Sequence, residues 1–275
     1  DLAYSLHLEG NYKEAWKEYE WRFKGFSQLQ PYMQKYDQNL RWDGSPLPEK
    51  SRIMIYCEQG LGDAIQFVRF IRELKNRYSC HVILHCSDSL VELFRQSDLG
   101  IDEFFTIPVI EMTWVVPHDF HASLMSLPFL LGIDDIPPSG NYLKSEKIDL
   151  GYRDKKRIGI CWAGSPLHPN DRIRSLPLRH FQKIHDLPDV KLFNLCDSRI
   201  RKYVSQDREI DLTLGCEGMR VVDCWEKMTD FARTASIVKD LDLVVTVDTA
   251  LMHLSAGLGV PTIGLLSYNP DWRWG

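Results

Sequence analysis

The chain has 275 residues, of which 44% are hydrophobic and 26% charged, as expected for one large globular domain or two of moderate size. The formal net charge of −5 argues against a nucleic-acid partner and against general binding to an anionic membrane, but it leaves room for a local basic pocket. No apolar run approaches the length of a membrane span and no signal peptide is recognisable, so the sequence predicts no transmembrane segment.

Residues 1–30 are predicted to be helical, because apolar residues recur at helical spacing on both sides of Gly10. The pattern L-x-x-x-L-x-x-x-G-x-Y-x-E-A-x-x-x-Y is similar to a clipped tetratricopeptide repeat, and a helical hairpin packed on the next domain explains it equally well. Since the first residue is Asp rather than Met, we expect a fragment, with upstream repeats that could hold a protein partner. Residues 31–50 carry Gln, Pro, Asp and Gly, which predicts a linker.

From Arg52 onward, short apolar runs alternate with amphipathic segments, which predicts βαβ units with parallel sheets and helices on both faces. We expect one such unit over residues 51–150 and a second over 151–275, joined through a Pro-rich break at 136–140. Two units of this kind imply a cleft between them, with ligands at the carboxyl ends of the strands. The predicted strands are Arg52–Cys57, His81–Cys86, Phe104–Ile107, Arg157–Trp162, Lys191–Leu195, Leu241–Val247 and Thr262–Leu266, and the predicted helices are Ala64–Arg77, Leu90–Gln96, Pro177–Asp186, Thr229–Lys239 and Thr249–Gly257.

A first polar segment, EQGLGDAIQF, follows the first predicted strand and begins a helix. Gly60 and Gly62 would let a ligand approach the backbone, and the free amides of the helix start would favour an anion or polar group. The segment is not a dinucleotide fingerprint, because Ile65 stands where GxGxxG requires Gly or Ala. Considered alone, Asp63 is explained more simply as the cap of the helix.

A second polar segment, WAGSPLHPNDRIRSLPL, follows the strand that ends near Trp162. Its small-residue loop and its run of polar side chains suit either a ligand-lining loop or a solvated excursion, and this stretch alone does not decide between them. Arg172 and Arg174 would suit a phosphate, because the guanidinium fork matches the phosphate oxygens.

The third polar segment, TVDTALMHL, follows the apolar run that ends at Val247. Asp248 or Thr249 is a natural N-cap, which leaves the first amides of the next helix, including that of Ala250, free to face a ligand. Helical side chains lean toward the N-terminus, so His253 could reach back over this start. A capped core helix with a well-packed histidine explains the same letters.

Two further features could suggest a metal, and the sequence gives both another explanation. The seven cysteines include no CxxC pair and several lie in apolar runs, which favours reduced, buried thiols in a cytoplasmic protein over disulfides or zinc. Asp240 and Asp242 spell the DxD motif of another transferase fold, but they precede their strand instead of following it. We therefore expect a solvated turn there, without a metal.

Taken together, GLGDAIQF, WAGSPLHPNDRIRSLPL, DFARTASIVKDLDLVVTVDTALMHLSAGLGVPT and PDWRW resemble the glycosyltransferases that bacteria fuse behind tetratricopeptide repeats. That group is similar to the ADP-heptose:lipopolysaccharide heptosyltransferases of glycosyltransferase family 9. Its layout, with repeats followed by a transferase, is similar to that of the O-linked N-acetylglucosamine transferases. The resemblance implies a GT-B fold, in which two Rossmann-like domains face each other across a cleft, with the acceptor on the first and the nucleotide-sugar donor on the second. It also implies inverting, metal-independent transfer, without a cofactor, to a saccharide or protein acceptor.

Residue by residue, the resemblance makes Asp63 the general base that takes the proton of the acceptor hydroxyl. Gly60, Gly62 and Gln66 fall on the acceptor-side loop. On the donor side, it assigns Arg174 to the diphosphate, together with the backbone of Thr249 and Ala250 and with His253, while Ser165 and Asp248 lie near the donor. The acidic residue that binds the nucleoside in the family has no clear counterpart in this sequence, and Asp197 and Glu217 are no more than loose candidates for it.

The resemblance leaves two alternatives open. One is a non-catalytic nucleotide- or sugar-binding module on a repeat scaffold, and the other is a nucleotide-sugar epimerase of GT-B fold. Relatives usually continue beyond the position of Gly275, so we expect a second domain that is truncated at its C-terminus.

Overall fold

The computed structural model describes residues 2–135, 141–196 and 219–274. The chain divides into two compact units, one formed by Asp1–Tyr142 with Pro270–Gly275 and the other by Leu143–Asn269. Each unit contains a parallel sheet accompanied by helices, which confirms the predicted α/β class. The predicted break at 136–140 and the candidates Asp197 and Glu217 lie outside the described residues.

The first unit is built on a four-stranded parallel sheet with the order β3-β2-β1-β4. Its strands are β1 (Arg52–Tyr56), β2 (His81–His85), β3 (Glu103–Phe105) and β4 (Phe120–Ser123), and its helices are α1 (Leu2–Leu8), α2 (Tyr12–Tyr19), α3 (Arg22–Gly25), α4 (Gln30–Lys35), α5 (Leu61–Phe67), α6 (Arg69–Arg77), α7 (Asp88–Gln96) and α8 (Leu127–Leu130). The central strand β1 has an almost continuous apolar sequence because both of its faces are covered, as in other parallel sheets.

Strand β4 was not predicted, and its composition explains why. The sequence FHAS contains no apolar run, yet His121 within it is buried, and its Nε2 lies 2.9 Å from the carbonyl oxygen of Asp37. The strand depends on this tertiary contact and on its pairing with β1, neither of which can be read from local periodicity.

The segment predicted as a linker, residues 31–50, is largely packed. It contains most of α4 and a 3-10 turn over Gln38–Leu40, and it buries Tyr36, Trp42 and Leu47. The Trp42 amide donates to the carbonyl of His121 at 2.9 Å, so the segment is tied to β4. Apolar anchors spaced this widely give neither a helical nor a strand period, which is why the sequence resembles a linker.

The second unit contains a five-stranded parallel sheet with the order β7-β6-β5-β8-β9. Its strands are β5 (Lys156–Cys161), β6 (Val190–Asn194), β7 (Val221–Asp223), β8 (Leu243–Val247) and β9 (Thr262–Leu265), and its helices are α9 (Asp171–Arg174), α10 (Gln182–His185), α11 (Phe231–Val238) and α12 (Ala250–Gly257). The helix predicted over Pro177–Asp186 is a 3-10 turn, Leu178–Phe181, followed by the single turn of α10.

In both sheets the strand order reverses at one point, between β1 and β4 in the first unit and between β5 and β8 in the second. Connections leave such a pair of neighbouring strands in opposite directions, which opens a crevice at their carboxyl ends. All three polar segments singled out in the sequence follow strands at these reversal points, namely β1, β5 and β8.

The prediction of a solvated turn at Asp240 and Asp242 was wrong. Asp240 is buried, and its Oδ2 accepts from Nη1 of Arg157 at 2.9 Å and from the amide of Leu150 at 3.0 Å. Asp242 lies 3.3 Å from Nε of the same arginine. Because β5 and β8 are neighbouring parallel strands, their starts bring Arg157 against both carboxylates, and the DxD letters belong to an ion pair within the fold.

Among the described residues, no helix combines the length and the apolar character needed to cross a membrane. The six cysteines within the described ranges carry free thiols, and Cys216 lies outside those ranges.

Candidate functional site

The loop after β1 holds Asp63 at the third position of α5. Its Oδ2 accepts from the amide of Gly60, the N-cap residue, at 2.9 Å, and its Oδ1 lies 2.6 Å from Nη2 of Arg273. The carboxylate therefore does cap the helix, as the simpler interpretation proposed, while remaining partly accessible with 19% of its side chain exposed. Both of its oxygens are fixed, so its orientation is defined.

Arg273 is a residue of this site to which the sequence analysis gave no role. Only 9% of its side chain is exposed, and its Nη1 lies 2.6 Å from a carboxylate oxygen of Asp271. Burial opposes the charge of the guanidinium, but Asp63 and Asp271 outweigh it and raise the pKa of Arg273 above its ordinary value. The only signal in the sequence was an arginine between two tryptophans in PDWRW.

A buried ion pair between Arg22 and Glu58 supports the same loop. Glu58 lies two residues after the end of β1, and its Oε1 accepts from Nε of Arg22 at 2.8 Å and from Oγ of Ser123 at 2.6 Å. Arg22 also donates to Oγ of Ser126 at 2.8 Å. These contacts join α3, the end of β1 and the end of β4, so the carboxyl edge of the first sheet is fastened to the N-terminal helices.

The remaining acceptor-side candidates lie on the same loop and helix. Gly60 is exposed, and Gly62 and Gln66 are half-buried. The Oε1 atom of Gln66 is buried and has no hydrogen-bond partner among the described residues. Gln66 is therefore held with an acceptor atom unsatisfied, a state that costs free energy unless another group donates to it.

In the second unit, Arg174 joins the loops that follow β5 and β8. Its Nη1 donates to the carbonyl of Asp248 at 2.9 Å, and its Nη2 lies 3.4 Å from the carbonyl of Ser165. The guanidinium lies over Gly164, where any Cβ would overlap with it. The structure thus brings Ser165 and Arg174, which belong to the second polar segment, together with Asp248 of the third.

Two residues that the sequence analysis did not single out hold this arrangement. Oδ1 of Asp171 accepts from Oγ of Ser175 at 2.8 Å and lies 3.4 Å from Nε of Arg174. The same hydroxyl of Ser175 accepts from the amide of Gly164 at 3.2 Å. The hydrogen bonds run from the glycine loop through Ser175 and Asp171 to the arginine, so the backbone there is fixed around the guanidinium.

The start of α12 completes the cluster in the second unit. Thr249 is the N-cap residue with an extended backbone, φ −144° and ψ 170°, and its hydroxyl lies 3.3 Å from that of Thr246 instead of capping the helix. The amides from Ala250 onward are at the first turn, where a helix favours an anion. His253 lies one turn further and is 8% exposed, so its ring is buried rather than directed freely into solvent.

No group of three or more His, Cys, Asp or Glu side chains suited to a metal ion occurs within the ranges that the structure describes.

The family model of glycosyltransferase family 9 (heptosyltransferase) matches residues 212–275. This range contains β8, α12 and β9, and with them Asp248, Thr249, Ala250 and His253. No curated protein matches the chain.

Three similar solved structures are transferases. The glycosyl transferase family 9 protein from Veillonella parvula matches 82% of this chain and 84% of its own, with a TM-score of 0.57 and 15% identity. Escherichia coli heptosyltransferase WaaC with ADP-2-deoxy-2-fluoro heptose matches 80% of this chain and 90% of its own, with a TM-score of 0.53 and 11% identity. The iron-containing dodecameric glycosyltransferase TibC from enterotoxigenic E. coli matches 80% of this chain and 58% of its own, with a TM-score of 0.54 and 10% identity.

At these identities the structural matches show the fold, which this chain shares with glycosyltransferases over most of its length. The family match adds sequence similarity in the part of the chain that carries the start of α12. Together they support a glycosyltransferase enzyme.

Proposed function

We propose that the protein is an inverting, metal-independent glycosyltransferase that moves a sugar from a nucleotide-sugar donor to a saccharide or protein acceptor. The observation that carries the proposal is the cluster at the reversal point of the second sheet. There Arg174 joins the loops after β5 and β8, and the first amides of α12 come directly after the second of these loops in the sequence. A guanidinium beside a helix N-terminus is a suitable receptor for a diphosphate.

On the donor side, the chemistry requires stabilisation of the leaving group. As the bond between the anomeric carbon and the diphosphate breaks, negative charge grows on the phosphate oxygen. Arg174 and the amides that follow Thr249 would stabilise that charge, and they are already held in place, so little reorganisation is needed. Asp248 and Ser165 contribute the carbonyls that hold Arg174.

On the acceptor side, Asp63 is proposed to be the general base. Each carboxylate oxygen has a second lone pair, so the contacts with Gly60 and Arg273 leave acceptor capacity for a substrate hydroxyl. The acceptor oxygen bonds to the anomeric carbon while its proton passes to Asp63, and the nucleoside diphosphate departs from the opposite face, with inversion. Gly60, Gly62 and Gln66 would border the acceptor.

The donor assignment is tested by calorimetric titration with ADP-, GDP- and UDP-sugars. We expect at least one donor to bind, and Arg174→Gln to weaken it about 10-fold or more, as the loss of a charge-assisted hydrogen bond implies. Arg172, the other arginine that the sequence suggested for a phosphate, is exposed, and Arg172→Gln is the matched control because it removes the same charge from the same helix. Absence of binding by any donor, or an equal effect of both variants, would refute the assignment.

A second variant tests the placement of the arginine without changing any charge. Gly164→Ala puts a methyl group where the Arg174 guanidinium lies, and the flexible end of that side chain must move away. We expect weaker donor binding and an unchanged melting temperature. Gly25→Ala, where an added Cβ meets nothing within 4 Å, is the control. A donor affinity of wild-type strength in Gly164→Ala would contradict the proposal.

Measurements of turnover distinguish a glycosyltransferase from the two alternatives, a binding module and an epimerase. Asp63→Asn should retain donor binding and lose transfer, since the amide cannot accept the proton. Donor binding without transfer by the wild-type protein would instead indicate a binding module. If NMR shows that the donor is converted into an epimer in the absence of acceptor, the protein is an epimerase.

Two finer parts of the proposal concern the whole protein. The pair formed by α1 and α2 is proposed to be the remnant of a tetratricopeptide repeat, through which a protein partner could bind. The donor would be drawn from the cytoplasm, where reduced cysteines persist.

A further inference from the structure

The segment Pro270–Gly275 belongs to the first unit and is anchored there by aromatic packing. The Trp272 ring stacks on the ring of His7 with centroids 3.8 Å apart, and it meets the Trp16 ring edge-on at 5.5 Å. The hydroxyl of Tyr4 donates to the carbonyl of Pro270. Helices α1 and α2 therefore hold this short segment against the unit that carries Asp63.

The next residue, Arg273, turns this anchoring into a contact with the proposed base. Its Nη2 lies 2.6 Å from Oδ1 of Asp63, and its Nη1 lies 2.6 Å from Oδ1 of Asp271. With one carboxylate on each arm, the planar guanidinium cannot rotate without breaking an ion pair. Asp271 lies two residues before Arg273 in the anchored segment, so the ion pair between them fixes the direction in which Nη2 points.

The loop before Asp63 is held by the same arginine. Gln59 has a left-handed backbone, with φ 66°, which a non-glycine residue adopts at some cost. Its side chain spans two groups: Nε2 donates to the hydroxyl of Tyr19 at 2.8 Å, and Oε1 lies 3.4 Å from Nη2 of Arg273. The loop is thus clamped between α2 and the anchored segment.

We propose that Arg273 is a positioning residue for the transfer reaction, which orients the Asp63 carboxylate toward the acceptor hydroxyl. The inference rests on the proposed function, because it takes Asp63 as the base. With Arg273 in place, Oδ1 is held by the guanidinium and Oδ2 by the Gly60 amide, so the carboxylate plane is fixed before the acceptor binds. Such preorganisation lowers the barrier, because a small misplacement of a reacting group can cost about 100-fold in rate.

Exposure distinguishes this pair from an ordinary surface ion pair. Arg95 and Glu92 lie at the same 2.6 Å distance, but 57% and 59% of their side chains are exposed. For the pair of Arg273 and Asp63 the exposed fractions are 9% and 19%. Solvent screens the first pair and leaves its side chains mobile, whereas the second pair is enclosed and constrained. Arg95→Gln is therefore a matched control for Arg273→Gln.

The kinetic test compares Arg273→Gln, Arg273→Lys and Arg95→Gln in the full chain. For Arg273→Gln we expect kcat to fall about 10- to 100-fold. Donor affinity by calorimetry and the KM of the donor should change less than about 3-fold, because the donor contacts lie elsewhere. Arg273→Lys keeps the charge but loses the two-armed geometry, so we expect an intermediate kcat. Arg95→Gln should behave as the wild type.

A second readout does not depend on turnover. The Gly60 amide donates to Oδ2 of Asp63, so its proton resonance reports on the position of the carboxylate. In Arg273→Gln we expect this resonance to move in the same direction as in Asp63→Ala, and to remain in place in Arg95→Gln. If the wild-type protein transfers no sugar, the proposed function fails, but the Gly60 resonance still decides whether Arg273 positions Asp63.

The inference is upheld when Arg273→Gln lowers kcat selectively and moves the Gly60 resonance. It is overturned if the Gly60 resonance stays at its wild-type position, or if kcat and donor affinity fall in parallel. If Arg273→Gln does not fold, kcat and the Gly60 resonance are measured in Arg273→Lys instead. Wild-type values of both in that variant would overturn the inference.

Discussion

Removal of Arg22 should destabilise the first unit strongly, because it strands a buried carboxylate. The side chains of Arg22 and Glu58 are 1% and 0% exposed, and the shortest distance between their charged atoms is 2.6 Å. Glu58 lies two residues after β1, at the edge of the sheet from which the Asp63 loop emerges. The variant Arg22→Met therefore measures how much of the stability of the first unit depends on this ion pair.

The expected loss follows from the partners that remain. Breaking a buried ion pair by removing one member typically costs about 3–5 kcal/mol, against a total stability of about 5–15 kcal/mol for a domain. In Arg22→Met, Glu58 keeps the hydroxyl of Ser123 at 2.6 Å, which places the expected loss near 3 kcal/mol, the lower end of that range. In Glu58→Gln, Arg22 keeps Glu20 at 2.6 Å, so its charge stays paired and the loss should be smaller. Arg22→Met combined with Glu58→Gln should be more stable than Arg22→Met alone, because no uncompensated charge is then buried.

The assay is urea denaturation followed by tryptophan fluorescence. The second unit contributes only Trp162 and Trp225 of the eight tryptophans, so the signal is dominated by the first unit. The free energy of unfolding is compared for the wild type, both single variants and the double variant. A loss below about 1 kcal/mol in Arg22→Met, or a double variant less stable than Arg22→Met, would refute the reasoning.

Three further predictions concern stability. Gly159→Ala should cost about 1–3 kcal/mol in urea denaturation, because its Cβ would lie 2.6 Å from the methyl groups of two buried leucines. Burial lowers the pKa of His7 and that of His121 to about 4, so the unfolded state binds more protons at pH values between the ordinary 6.5 and 4. The free energy of unfolding should therefore be steady above pH 6.5 and fall as the pH drops toward 4, with a smaller fall in His7→Phe. Arg157→Met should lower the melting temperature, because it leaves the buried Asp240 carboxylate without its cation.

Each of these has a result that contradicts it. A Gly159→Ala variant of wild-type stability would mean that the leucines yield without cost. Equal slopes of stability against pH in His7→Phe and the wild type would show that this imidazole is not held neutral. A stable Arg157→Met would mean that solvent or another cation reaches Asp240.

The parallel sheets and seven of the nine strands in the described residues could be predicted from the sequence to within two residues at each end, because buried strands have continuous apolar runs and polar loops follow them; β4 and β7 were missed. The three polar segments were also recognisable, since each follows such a run. What the sequence could not supply was their grouping. Arg174 meets the Asp248 carbonyl only because β5 and β8 are adjacent, and adjacency follows from strand order, not from local pattern.

The partners of Asp63 and Glu58 were out of reach for a different reason. Arg273 and Arg22 are far from these carboxylates along the chain, and single arginines carry no periodic signal. Strand β4 escaped for a related reason, because its histidine is buried by a tertiary hydrogen bond. Local pattern predicts secondary structure well, but the choice of ionic partner is made by the assembled fold.

The first unit is made from two separate stretches of the sequence, Asp1–Tyr142 and Pro270–Gly275, with Leu143–Asn269 inserted between them. During synthesis the ribosome releases Asp63 long before Arg273, so the loop of the proposed base must wait for the second unit to be translated before its ionic partner arrives. Until then the rings of His7 in α1 and Trp16 in α2 lack the ring of Trp272. Formation of the reactive loop is thereby linked to translation of the second unit, and a nascent chain stalled before Pro270 would lack the arginine that fixes its base.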